Sequence, residues 1–224
     1  MDLDGFKNEF NLVYNNLASN QAAGLTSFEI SVYLTKSQDA LVDTLYQQFE
    51  TSERVRRLLS NIVVTVEMGK LNSVSESDML YPEYTVPFAI PTSMMLKYIV
   101  DERVKMSDSA EPCIRDKYIS VKPVSHDEVD RLIENPFKFN SRKAFRLDTS
   151  KDTPYIEILS KDKHIASYKV RYIKKPTPII IEDLINDENI DGYQTAMNCI
   201  LDESLHRQIV EIAAKMAYQD YKAM

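Results

Sequence analysis

Hydrophobic positions recur at two different periods along this chain, and the change of period divides it into three stretches. From about Asp4 to Ala18, Phe6, Phe10, Val13, Tyr14 and Leu17 return at helical spacing, which predicts a first helix. The second helix has a marked start. Thr26 can cap, Glu29 three residues on closes a capping box, and Leu25 with Ile30 supplies a hydrophobic staple. Gly24 suits the turn before it. Ile30, Tyr33, Leu34, Leu41, Leu45 and Phe49 carry an apolar stripe to about Ser52, with a continuation through Leu58. Residues 1–60 are therefore expected to form an N-terminal helical hairpin.

The middle is β-rich. Ile62–Glu67, Thr85–Ile90, Ser93–Lys105, Tyr118–Val124, Lys143–Asp148, Tyr155–Leu159 and Ile165–Lys174 read as strands, punctuated by Pro82, Pro87, Pro91, Pro112, Pro123 and Pro154. The alternation of Tyr168, Val170 and Tyr172 with Lys169, Arg171 and Lys175 predicts a strand with one face in the core. Ser125 and Glu128 repeat the capping box, with Val124 and Val129 as staple, so a short helix over residues 126–134 interrupts the strands before Asn135-Pro136 ends it. Ser73–Asp78 is the best loop candidate.

The last third opens with Pro176-Thr-Pro178 and the β-branched run Ile179–Ile181. An Asp/Asn-rich turn follows from Asn186 to Gly192, and a helix closes the chain from about Asp202 to Tyr221. Its apolar face is Leu205, Ile209, Ile212, Ala213, Met216 and Ala217, with Asp202 and Glu203 where the helix dipole favours acids. The expected fold class is α+β, a helical bundle of the N-terminal hairpin and the C-terminal helix with a β-rich insertion carrying one short helix. The expected divisions are 1–60, 61–185 and 186–224, forming one composite domain.

Composition narrows the function classes. The 224 residues suffice to bury a core, and 44% hydrophobic with 27% charged residues is ordinary for a globular chain. No stretch has the ~20 consecutive apolar residues that span a bilayer, and the acidic Met1–Phe10 segment is unlike a signal peptide. Cys113 and Cys199 lie outside any CxxC spacing and read as reduced thiols. The net charge of −7 argues against a dedicated nucleic-acid binder. That charge is uneven: Lys163–Lys175 holds five cations and no acid, whereas Glu182–Glu203 holds seven acids and no Lys or Arg. Such blocks either key one subunit to the next or mark two solvated faces of one chain.

A search for chemistry returns no glycine-rich phosphate loop or nucleophile elbow, and only four glycines exist to build one. His126, His164 and His206 fall in three separate elements, the first and last reading as exposed helix residues. Asp187, Asn189, Asp191 and Gly192 match the start of an EF-hand loop, but Asn198 stands where a bidentate glutamate is required, so a plain turn is expected. Glu203 and His206 have the spacing of di-iron helices, but no second copy exists. No catalytic residue, cofactor or metal site is expected. The remaining candidate contact is Lys163, Lys169, Arg171, Lys174 and Lys175, facing either a neighbouring subunit or phosphate.

Several segments together resemble one family. The stretch from Phe10-Asn-Leu-Val-Tyr14 through Gln38, the central Glu134-Asn-Pro-Phe137 with Arg146-Leu147 and Tyr168–Pro178, and the closing Leu205-His-Arg-Gln-Ile209 resemble virion structural proteins of crAss-like bacteriophages. They look like ring, or head-to-tail adaptor, proteins. The resemblance implies a non-enzymatic subunit of a closed ring, usually of twelve copies, joining portal to tail around a channel through which DNA leaves. It further implies portal and other ring or tail proteins as partners, no specific DNA recognition, no membrane, and a place in the virion neck or tail after assembly in the host cytoplasm. A tail-hub component of the same phages and a small DNA-binding or regulatory module remain as alternatives.

Overall fold

The computed structural model describes residues 1–18, 24–71, 74, 79–91, 94–147, 155–185 and 188–223. It is mixed α+β, with five α-helices and a curled seven-stranded sheet among the described residues. Two compact units divide the chain: Met1–Ile62 with Lys175–Met224, and Val63–Lys174.

In the first unit, helix α1 (Leu3–Leu17) starts at Asp2, whose carboxylate accepts the Gly5 N–H, and buries Phe6, Phe10 and Tyr14 along one face. Helix α2 (Ser27–Tyr46) opens with the expected capping box: Thr26 Oγ1 accepts the Glu29 N–H at 3.2 Å and Glu29 Oε2 accepts the Thr26 N–H at 2.7 Å. The helix ends at Tyr46, short of the expected Ser52. A turn carries the buried Phe49, and the Ser52 hydroxyl then accepts the Val55 N–H to start a separate helix, α3 (Glu53–Leu58). Leu45 and Phe49 keep helical spacing across this break, which is why periodicity reads through it.

The closing helix, here labelled α5 (Glu203–Ala223), buries Leu205, Ile209, Val210, Ala213, Ala214 and Ala217. It packs along both α1 and α2, whereas those two touch each other over little of their length, so the mutual packing of a simple hairpin is replaced by a shared third helix. The fully buried Ile179 and Ile180 follow in an extended segment with Ile181. A polar stripe on α2 holds that segment. Ser31 Oγ accepts the Ile181 N–H at 3.0 Å, Thr35 Oγ1 accepts the Ile179 N–H at 3.1 Å, and Gln38 Nε2 donates to the Thr177 carbonyl at 2.8 Å. These bonds satisfy backbone groups that burial would otherwise leave costly.

In the second unit the strands are β1 (Val63–Gly69), β2 (Thr85–Ala89), β3 (Leu96–Met106), β4 (Tyr118–Val124), β5 (Ala144–Leu147), β6 (Tyr155–Ser160) and β7 (Ile165–Lys174). Their order is β1-β7-β3-β4-β5-β6-β2. All neighbours are antiparallel except β4 and β5, whose parallel crossover contains α4 (His126–Ile133). Both prolines in strands sit where a missing N–H is tolerated. Pro87 is in the edge strand β2, and Pro123 lies beyond the last β4 residue paired with β3. Three register shifts along β3 and β7 bend the sheet, and an isolated bridge between Lys70 and Phe88 brings its two edge strands together.

The concave side of the curl encloses a core that includes Phe88, Val104, Met106, Ile158, Tyr168 and Val170. On the other side α4 lays Val129 and Leu132 over Phe145, Leu147 and Leu159. Strand β6 is consequently buried on both faces along its whole length. The staple pair Val124 and Val129 is buried in that smaller core, but the Ser125 side chain makes no capping bond, so the second expected capping box does not form. The expected loop Ser73–Asp78 lies outside the described residues apart from Val74, as do Ser93, Asp148, Pro154 and the Asn186-Asp187 start of the acidic turn.

Candidate functional site: a cationic face of the curled sheet

Strand β7 lies inside the sheet, paired with β1 on one side and β3 on the other, so one side chain in two points into the core and the other outward. Tyr168, Val170 and Tyr172 are buried, as the alternation predicts, and Lys169 and Arg171 take the opposite side. The register adds residues from neighbouring strands to that face. Arg171 stands between Thr65 and Asp101, and Lys169 between Glu67 and Arg103. Beyond β3, Arg103 is opposite Ser120 and Lys105 opposite Tyr118.

Thr65, Asp101, Arg103, Tyr118, Lys169 and Arg171 line a shallow recess of about 370 Å³. The Arg103 Nε–H donates to Asp101 Oδ2 at 2.9 Å, and the Lys169 ammonium sits 5.9 Å from the centre of the Tyr118 ring. Three cations and one carboxylate in so small a recess favour an anionic ligand group. Arg103 and Arg171 can each present two N–H groups to a carboxylate or phosphate.

The five residues expected from sequence do not form one patch. Lys169 and Arg171 are together in the recess. Lys163 lies on the β6–β7 connection, its ammonium donating to the Pro82 carbonyl at 2.7 Å, while Lys70 Nζ reaches the Lys163 carbonyl at 3.4 Å. Partial burial and, after it, the charge of Lys163 lower the Lys70 pKa. Lys174 ends β7, paired with Leu96, and Lys175 begins the chain's return to the first unit, ion-paired with Asp191 Oδ2 at 2.7 Å. Arg103, Asp101 and Tyr118 were not anticipated. For Asp101 and Arg103 the signal was the alternation of Asp101, Arg103 and Lys105 with Glu102, Val104 and Met106 on β3.

The histidines are dispersed. His126 is exposed in the first turn of α4. His164 Nδ1 lies 2.8 Å from Asp162 Oδ1. Burial opposes the Asp162 charge, but the His164 and Glu111 backbone N–H groups and the His164 ring hold its carboxyl below the usual range. His206 corrects the expectation of an exposed residue. It is 5% exposed, its ring centre 5.0 Å from that of Phe6, with Nε2 3.2 Å from the Leu201 carbonyl and Nδ1 3.2 Å from the Met1 amino group. Burial, opposed mainly by the Leu201 bond, lowers its pKa. Cys199, half-buried beside Gln38, has its thiol pushed up by burial to about 11. Asp191 and Gly192 take left-handed backbone angles, φ 53° and 84°, and Asp191 is engaged with Lys175. Among the described residues no three His, Cys, Asp or Glu side chains are grouped to hold a metal ion. No helix among them is long and apolar enough to cross a membrane.

The sequence comparisons say in what kind of protein this cationic face occurs. The sequence profile of the phage tail ring protein 3/4 family matches residues 1–224. The chain belongs to that family. The ring-protein relatives include "Ring protein 3" of Bacteroides phage crAss001, 32% identical over 95% of this chain and 93% of the relative. "Ring protein 4/5" of the same phage is 28% identical over 99% of this chain and 94% of its own length. The resemblance to crAss-like phage ring proteins drawn from residues 10–38, 134–137, 146–147, 168–178 and 205–209 is thereby established.

Proposed function

We propose that this chain is the subunit of a cyclic ring in the virion neck or tail, joining the portal to the tail and surrounding the path by which DNA leaves. The observation that carries this is the match to the ring-protein family along residues 1–224. Copies of the chain and further ring or tail proteins are its partners, the ring has twelve members, and assembly takes place in the host cytoplasm. The role is structural, without catalysis. A helical core built from both ends of the chain, carrying the strand-rich insertion, suits a subunit that stacks and contacts neighbours through separate surfaces. A net charge of −7 suits a channel that lets phosphates pass without holding them.

Cryo-electron microscopy of intact particles tests this. The expected result is a closed ring of this chain between portal and tail. Density for it at a three- or six-fold tail hub, or nowhere in the particle, would overturn the proposal.

A further inference from the structure

We infer that the outward face of β7 and β3 is the socket of the ring's subunit contact, and that it receives the acidic segment around Asp183 and Glu188 of a second copy. This rests on the ring reading above and names the surface that closes the ring.

The socket is a cationic island in an acidic chain. Arg103, Lys105, Lys122, Lys169 and Arg171 share the outward parity of β3, β4 and β7, where the acids are Asp101 and, on the neighbouring β1, Glu67, while the whole chain carries −7. The complementary surface is on the same sequence. Residues Glu182–Glu203 hold seven acids and no Lys or Arg. Glu182 and Asp191 are already ion-paired, with Lys7 and Lys175. Asp183 and Glu188 are exposed, and Asp183 is held in place by accepting the Ala196 N–H at 2.7 Å. Between them Ile185 is 72% exposed, an apolar side chain that matches the half-exposed Tyr118 ring at the recess wall.

A second copy fits these features better than a nucleic acid. Phosphate tracks are uniformly negative and favour uniformly positive surfaces, whereas Asp101 and Glu67 interrupt this one. Mixed signs around a recess of side-chain size instead set the register of a protein contact. Socket and plug are different surfaces, so the contact is head-to-tail, the type that closes into rings.

The test pairs two charge-reversed variants, Lys169→Glu/Arg171→Glu and Asp183→Lys/Glu188→Lys, with the unmodified full chain. Equal amounts of ¹⁵N-labelled and unlabelled chain are treated with a carbodiimide, which joins carboxylates to amines in contact. The expected result is mixed-isotope dimers linked through Lys169 to Asp183 or Glu188, with sedimentation showing self-association that weakens as salt rises. Each variant alone should associate at least about tenfold more weakly, and mixing the two should restore association, because each then offers what the other lacks. Association unchanged by either double substitution would overturn the socket while leaving the ring reading intact. So would an unmodified chain giving no mixed-isotope link. Loss of duplex-DNA binding in Lys169→Glu/Arg171→Glu without loss of self-association would assign the face to nucleic acid and also overturn it. The ring reading itself fails only on the particle map.

Discussion

Replacing Arg146 by Met should be among the most damaging single changes to the strand unit. Arg146 Nε donates to Glu102 Oε1 at 2.9 Å, and the two side chains are 18% and 4% exposed. Both face the concave side of the sheet, next to Tyr168, whose phenol is pushed up first by burial and then by the Glu102 charge. At an effective dielectric constant of 20 the pair gains roughly 6 kcal/mol, against a desolvation cost of several kcal/mol for each ion. Arg146→Met keeps the aliphatic stem but removes the counter-charge from the Glu102 side chain, which is only 4% exposed, so the loss should be about 3–5 kcal/mol. With an m-value of about 2 kcal/mol per molar, the urea midpoint should fall by roughly 2 M. The chain has no Trp and 13 Tyr, so far-ultraviolet circular dichroism and tyrosine emission would follow the transition. Glu102→Leu/Arg146→Met should recover most of the loss, since an apolar pair in that place carries no desolvation cost. A loss below about 1 kcal/mol for Arg146→Met, the range of a hydrated surface pair, would refute the reasoning, as would a double variant no better than the single.

Four other substitutions probe two helix caps, a turn and a buried histidine. Thr26→Ala should cost about 1 kcal/mol by removing the capping box, while Ser125→Ala, whose side chain makes no cap bond, should cost close to nothing in the same urea assay. Gly192→Ala should cost about 1 kcal/mol through its φ of 84° alone, because beyond the flanking residues nothing lies within 4 Å of the added methyl; denaturation midpoints of the two proteins would show it. The His206 pKa is lower folded than unfolded, so the native state binds fewer protons. Its contribution is complete above about pH 6.5 and is lost as pH falls through the lowered folded value, and a His206→Gln variant should show a flatter stability profile between pH 7 and pH 5.

Local pattern disclosed most elements and little of their partnership. Strands β4 and β7 begin and end where alternation and flanking residues place them, because both are half-exposed and polar on one face. Periodicity could not see the break at Tyr46, since Leu45 and Phe49 stay in phase across it, although Ser52 was a legible cap. Ser31, Thr35 and Gln38 stand outside the apolar stripe named for α2, and their partners are carbonyls and N–H groups 139 to 150 residues away. The same limit applied to the candidate site. Lys163 through Lys175 were grouped by adjacency, whereas strand pairing keeps Lys169 and Arg171, releases the other three, and adds Arg103 from a strand that no local signal aligns. Sheet order is decided by hydrophobic closure between distant segments, so it is visible only once the curl exists.

Because α5 lies along both N-terminal helices and comes last in the chain, translation order has a consequence. When α2 has been made, the faces of α1 and α2 that pack on α5 wait for it over roughly 150 residues, about 8–30 s at bacterial elongation rates. The strand unit, contiguous from Val63 to Lys174, can complete its own core during that interval. The nascent subunit therefore passes through a stage in which its insertion is folded and its frame is open. Ribosome-bound chains halted before Glu203 should be the ones that chaperones hold.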